Sequence, residues 1–164
     1  MYIGTQDLLK QYDAYLLEHG YQIEELVNLA SDALLNHFTQ YNRFAILIGP
    51  GNNGADGYSL GLKLEKQGKH VIYYYSGDIG KVSQANRYYR DQCEENHLIY
   101  VDEDNINTIN WNDYDCIVDG LFGFGLNSAP RGMYKIIIES IMNNYNGTIG
   151  AIDIPTGLDC NTGK

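Results

Sequence analysis

The sequence predicts an α/β fold: a three-layer α/β/α, Rossmann-like arrangement with a mostly parallel sheet between helices. Three observations carry that prediction. From residue 44 onward, short apolar runs alternate with longer helix-like stretches, the order that strands joined by helical crossovers produce. The apolar runs FAILI at 44–48 and DCIV at 115–118 read as buried strands, and TIGAI at 148–152 reads as a strand. Each of these three runs leads into a stretch rich in glycine and acid, and in open α/β sheets ligands gather outside the carboxyl ends of the strands.

The elements follow in order. Residues 5–19 read as a helix, with Thr5 as its cap, Leu8, Leu9, Tyr12 and Leu16 as an apolar stripe and Gly20 as its stop. A second helix spans about 23–38. The run 44–48 is a buried strand that ends at Gly49-Pro50-Gly51. Residues 57–67 form the next helix, carrying Leu60, Leu62 and Leu64 and ended by Gly68. HVIYYY at 70–75 is β-branched and aromatic, hence a strand. Residues 81–96 read as helix and 98–101 as a short strand. The strand at 115–118 ends at Asp119, residues 133–145 form a helix, and the strand at 148–152 ends at Asp153.

A chain of 164 residues suits one domain with a sizeable core. The formal charge is −10 with no local basic patch, so nucleic acid and anionic membrane are excluded as partners. An anionic substrate would need backbone N–H groups or a bound cation to hold it. No apolar run is long enough for a bilayer, and MYIGTQDLLK lacks the features of a signal peptide; the expectation is a cytoplasmic protein. Cys93, Cys116 and Cys160 form no CxxC pair, which argues against zinc and against a disulfide framework.

Three loops concentrate the chemistry. The first, GPGNNGADG at 49–57, matches GxGxxG through Gly49, Gly51 and Gly54, and Asp78 stands beyond the next strand. Taken alone, that favours a nicotinamide-dependent oxidoreductase. A tight strand–helix turn explains the glycines but not Asn52, Asn53 and Asp56 together. No Lys-Ser or Lys-Thr follows Gly54, so it is not a Walker loop. The second loop, DGLFGFGLNSAPRG at 119–132, places Asp119 at a strand end. Gly123 and Gly125 permit close backbone approach, and Asn127 and Ser128 supply polar groups ahead of a helix start at Pro130. The third, DIPTGLD at 153–159, offers Asp153 and Thr156 around a Pro155–Gly157 turn. Together they put acids and amides on one rim, and hard oxygen ligands of this kind suit an alkali or alkaline-earth cation.

These loops resemble, in order, the motifs of the YjeF N-terminal domain family, whose characterised members are NAD(P)H-hydrate epimerases. GPGNNGADG stands where the family has roughly GxGNNGGDG. Asp119-Gly-Leu-Phe122-Gly123-Phe-Gly125-Leu126 matches DxxFGxGL, and Asp153 to Asp159, followed by Gly163, matches DIPSGLDxxxG. The resemblance covers essentially residues 1–164. It implies an isomerase of metabolite repair that interconverts the R and S forms of hydrated NADH or NADPH at carbon 6 of the nicotinamide ring. It further implies a homodimer, functional coupling to an NAD(P)H-hydrate dehydratase, and a bound potassium ion.

By motif position, Asn53, Asp119 and Thr156 would hold the potassium. Asn52, Asn53, Gly54, Ala55, Asp56, Gly123, Phe124, Gly125, Leu126, Asn127, Ser128, Ala129 and Asp153 would line the substrate, with Asp119 as catalytic acid/base. Departures from the family pattern are Ala55 for glycine, Gly120 for alanine, Thr156 for serine, and LVNLAS at 26–31 for LMENAG. The family also continues with a further helix and strands, so the domain is expected to be incomplete at its C-terminus. A non-catalytic binding or scaffold domain is the alternative these departures favour. The oxidoreductase alternative needs an acid/base in a rim loop, but His19, His37, His70 and His97 fall in helices or at strand starts.

Overall fold

The computed structural model describes residues 6–126 and 128–158. Five parallel strands, β1 (Arg43–Ile48), β2 (His70–Tyr75), β3 (Leu98–Tyr100), β4 (Cys116–Gly120) and β5 (Thr148–Ala151), form one sheet in the order β3-β2-β1-β4-β5. The helices are α1 (Gln6–Glu18), α2 (Ile23–Leu35), α3 (Asn52–Lys66), α4 (Gln84–Arg90) and α5 (Met133–Asn144). The architecture is thus the one the alternation of strand and helix predicts.

Strand pleating divides the core into two layers. Phe44, Ile46 and Ile48 of β1, with Cys116 and Val118 of β4, pack with Val27 of α2, Leu60 and Leu64 of α3 and Tyr89 of α4. Ala45 and Leu47, with Ile117, pack on the other face with Trp111 and with Ile137 and Ile141 of α5. The chain runs outward through β2 and β3 on one side of β1 and through β4 and β5 on the other. The strand order therefore reverses between β1 and β4, where a crevice opens at the carboxyl edge. Gly49 N–H donates to the Gly120 carbonyl at 3.0 Å, which seats the first two loops side by side.

Helix limits and one apolar stripe depart from expectation. α3 begins at Asn52, not 57, so Asn52 to Asp56 are its first residues rather than loop; Asn-Asn-Gly is poor helix former, but burial of Gly54, Ala55 and Tyr58 overrides propensity. α4 is shorter than 81–96, because Ser83 caps it by accepting from Asn86 N–H at 3.2 Å. α5 starts at Met133, as the reading of 133–145 has it, after Gly132 at φ 57; the helix start read at Pro130 is not observed. Of the expected stripe of α1, Leu8 and Tyr12 are exposed and Leu16 half-buried, while the Leu9 side chain and the expected cap Thr5 lie outside what is described. No helix among the described residues is long and apolar enough to cross a membrane.

Candidate active site

The crevice is a cleft of about 640 Å³ between α2, the start of α3, residues 121–126 and Asp153. Asn53 and Asp56, three apart on α3, share the helical side that lines it. Gly54 and Ala55 are buried beneath them. A Cβ on Gly54 would lie 2.0 Å from the Gly49 carbonyl oxygen, so only glycine lets the helix start so close to the turn that feeds it.

The opposite wall is built by hydrogen bonding between the second and third loops. Phe124 N–H donates to Asp153 Oδ2 at 2.7 Å. A Cβ on Gly123 would sit 2.5 Å from that oxygen and 3.5 Å from Asn53 Oδ1. Gly123 therefore leaves the gap in which the Asp153 carboxylate and the Asn53 amide approach each other. Asp153 is exposed at the mouth and Asp56 half-buried.

Asp119 is placed differently. It pairs with Leu47 in the sheet register and so shares the α5 face, whereas Asn53 belongs to the helix on the other face. The main chains still meet: the Asn53 carbonyl oxygen lies 3.3 Å from where a Cβ on Gly120 would be. Asp119 is 8% exposed and accepts three hydrogen bonds. Its Oδ1 takes Leu121 N–H at 3.1 Å and the Thr156 hydroxyl at 2.7 Å, and its Oδ2 takes Thr156 N–H at 2.7 Å. Thr156 Oγ1 in turn accepts from Phe122 N–H at 3.2 Å. The pair borders a separate recess of about 280 Å³ with Ile138, Ile141 and Pro155. Leu121, Phe122 and Gly123 line the main cleft and not this recess.

Of the residues expected to line substrate, Asn52, Asn53, Asp56, Gly123, Phe124, Gly125, Leu126 and Asp153 thus share one cleft. Ser128 and Ala129 are exposed outside it, Ala129 beside Pro130, Arg131 and Lys135 in a further recess. Asn127 lies outside the described residues. Two contributions went unread in the sequence. Ala30, Ala33 and Leu34 of α2 form an apolar side of the cleft, for which the helical spacing of small residues facing the glycine loop was the available signal. Asn86 of α4 is buried, and its amide donates to the Gly49 carbonyl at 2.8 Å.

Asn53 Nδ2 is buried without a hydrogen-bond partner. Amide nitrogen and oxygen exchange places on a half-turn of the terminal torsion. Asn53 Oδ1 is the amide atom toward Gly123, and Nδ2 occupies the buried point without a protein acceptor, where a half-turn would bring the carbonyl oxygen instead.

A doubly wound sheet with glycine-rich turns and paired acids at its switch point defines a ligand-binding domain of the Rossmann-like α/β class. The family model described as YjeF-related protein N-terminus matches residues 23–164, and the chain belongs to this family. It is 34% identical to an Anaerococcus prevotii protein named NAD(P)H-hydrate epimerase, over 85% of this chain and 66% of the relative. A Leuconostoc citreum protein of the same name is 30% identical over 100% of this chain and 73% of its own length. The chain thus spans about two-thirds to three-quarters of these relatives. The crystal structure of yeast YNL200c shares the fold, with a TM-score of 0.82 at 24% identity, covering 97% of this chain and 72% of that one.

Proposed function

We propose that the chain epimerises hydrated NADH and NADPH at carbon 6 of the nicotinamide ring, a repair of damaged cofactor. The observation that carries the reading is the meeting of all three loop motifs at one carboxyl edge, around a cleft sized for a nucleotide. The relatives named NAD(P)H-hydrate epimerase give the substrate. In the hydrate, carbon 6 carries a hydroxyl next to the ring nitrogen. A carboxylic acid protonates that hydroxyl, the carbon–oxygen bond breaks, water leaves and the ring nitrogen's lone pair forms an iminium. Water then adds to the opposite face and returns its proton to the carboxylate.

Asp119 is the acid/base of this proposal, and Asp153 a substrate contact. Asp119 would trade one of its three donors for substrate, with the adjoining recess as the available space. The exposure of Asp153 in the main cleft favours a second reading in which Asp153 carries the proton.

The reading includes a potassium site held by Asn53, Asp119 and Thr156, supported by their oxygen-ligand chemistry, an amide that can turn its oxygen, a carboxylate and a hydroxyl, with Thr156 bonded to Asp119. Potassium held there would offset the charge of Asp119 and of the substrate's phosphates. A homodimer in the cytoplasm, working beside a hydrate dehydratase, belongs to the same reading, and exposed Tyr12, Leu17 and Leu29 offer apolar surface for a second copy. The test is interconversion of the two hydrate epimers, resolved by chromatography with the spontaneous rate subtracted. A rate equal to the spontaneous one, with folded protein and potassium present, overturns the proposal.

A further inference from the structure

The turn that joins β1 to α3 is held from behind by α4. Asn86 is 1% exposed. Its Nδ2 donates to the Gly49 carbonyl at 2.8 Å and to the Gly51 carbonyl at 3.2 Å. Between them, the Pro50 carbonyl accepts from Ser83 N–H at 2.8 Å. All three carbonyls of residues 49–51 are therefore bonded to the first turn of α4 or its cap. Asn86 is itself fixed, since its N–H donates to Ser83 Oγ.

This arrangement has an electrostatic consequence at the cleft. A carbonyl turned toward a phosphate would repel it. The first-turn N–H groups of a helix have no carbonyl one turn back to bond, and they attract anions. Gly51, Asn52 and Asn53, at the start of α3, line the cleft. The Asn86 amide is the buried group that bonds the Gly49 and Gly51 carbonyls.

We infer that Asn86 is a positioning residue of the epimerase proposed above, clamping residues 49–51 so that amide groups rather than carbonyls face the anionic part of the substrate. The inference rests on that functional reading, but the clamp itself does not. Asn86 stands 30 residues after Asp56 and does not itself line the cleft, which it reaches only through its bond to the Gly51 carbonyl.

The experiment compares Asn86→Ala, Asn86→Asp and unmutated protein by epimerisation kinetics and by amide hydrogen exchange at residues 49–55. Asn86→Ala should raise KM about tenfold, the order set by losing two hydrogen bonds, with kcat within about twofold. Asn86→Asp, equal in size, sets acceptor oxygens against two acceptor carbonyls and should raise KM at least as far. A residue that merely packed would lower stability and active fraction in both variants while leaving KM unchanged. Exchange at 49–55 should quicken in both variants while the strands keep their protection. Unchanged exchange overturns the clamp. Quickened exchange with unchanged KM overturns its role toward substrate. If the unmutated protein does not epimerise but exchange quickens, the clamp stands and the functional reading fails.

Discussion

Asp119→Asn is nearly isosteric, yet the structure makes it costly. The carboxylate offers two acceptor oxygens to three donors: Leu121 N–H, Thr156 N–H and the Thr156 hydroxyl. An amide offers one oxygen and one NH₂. If its oxygen faces Leu121, the NH₂ meets Thr156 N–H; if it faces Thr156 N–H, the NH₂ meets Leu121 N–H. The hydroxyl can reverse its role, but the backbone groups cannot. One charge-assisted bond, worth about 1.5–3 kcal/mol, is lost in either orientation, and one enclosed N–H is left facing a donor. The expected loss is about 2–4 kcal/mol, or about 5–15 °C in Tm for a domain of this size. Urea denaturation followed by the fluorescence of Trp111, the single and buried tryptophan, measures it directly. Thr156→Ser, which keeps hydroxyl and N–H, should stay near the unmutated value. A loss below about 0.5 kcal/mol for Asp119→Asn would refute the claim that this carboxylate ties the second loop to the third. Activity is then read below the variant's melting range at saturating potassium. There a fall of about 10²–10⁴ marks Asp119 as the proton carrier, and a fall of that size in Asp153→Asn instead moves the role to Asp153.

Gly54→Ala should destabilise by about 1–3 kcal/mol and raise KM, because its Cβ would meet the Gly49 carbonyl oxygen at 2.0 Å and the Asn86 amide nitrogen at 2.6 Å; an unchanged melting curve would contradict that close approach. Potassium should raise Tm or substrate affinity more than sodium or lithium at matched ionic strength, and equal effects of all three would remove the cation site. Burial pushes the Cys93 thiol up from its ordinary value of 9.0 to about 12. The folded state therefore holds this proton more tightly than the unfolded one. Its contribution to stability is full below about pH 9 and is lost as pH rises toward about 12. In a Cys160→Ser background, the Tm advantage of Cys93 over Cys93→Ser should shrink across that range; parallel curves would show that the thiol does not titrate with unfolding.

The strands were legible as apolar runs, and each of the five lies where its run stands, β1, β2 and β4 largely buried and β3 and β5 at the sheet's edges half-buried to exposed. Helix ends were less so. Asn52, Asn53 and Gly54 carry the side chains of a turn, and only the packing of Gly54, Ala55 and Tyr58 under the sheet's edge makes them helix. Likewise Ser83 reads as an ordinary residue inside a long helical stretch, but its hydroxyl starts α4 and thereby sets Asn86 against the glycine turn. α1 shows the converse: a regular apolar stripe in sequence, with no place in the core for Leu8 and Tyr12.

The split between Asn53 and Asp119 follows from topology rather than from any motif. Parallel crossovers are right-handed. The chain leaves β1 toward β2 and β3, so α3 and α4 fall on one face; it returns past β1 to β4 and continues to β5, so α5 falls on the other. A residue at the start of α3 and a side chain with the α5-facing parity of β4 must then approach the carboxyl edge from opposite sides. They can share a ligand only across that edge, where Gly49 N–H meets the Gly120 carbonyl and where glycine at 123 leaves room. The strand order that dictates this is a set of long-range pairings, Phe44 with Val71 on one side and Cys116 on the other. No local pattern in FAILI, HVIYYY or DCIV encodes which run lies next to which. The motifs name the loops, and the reversal of strand order between β1 and β4 is what brings those loops to one carboxyl edge.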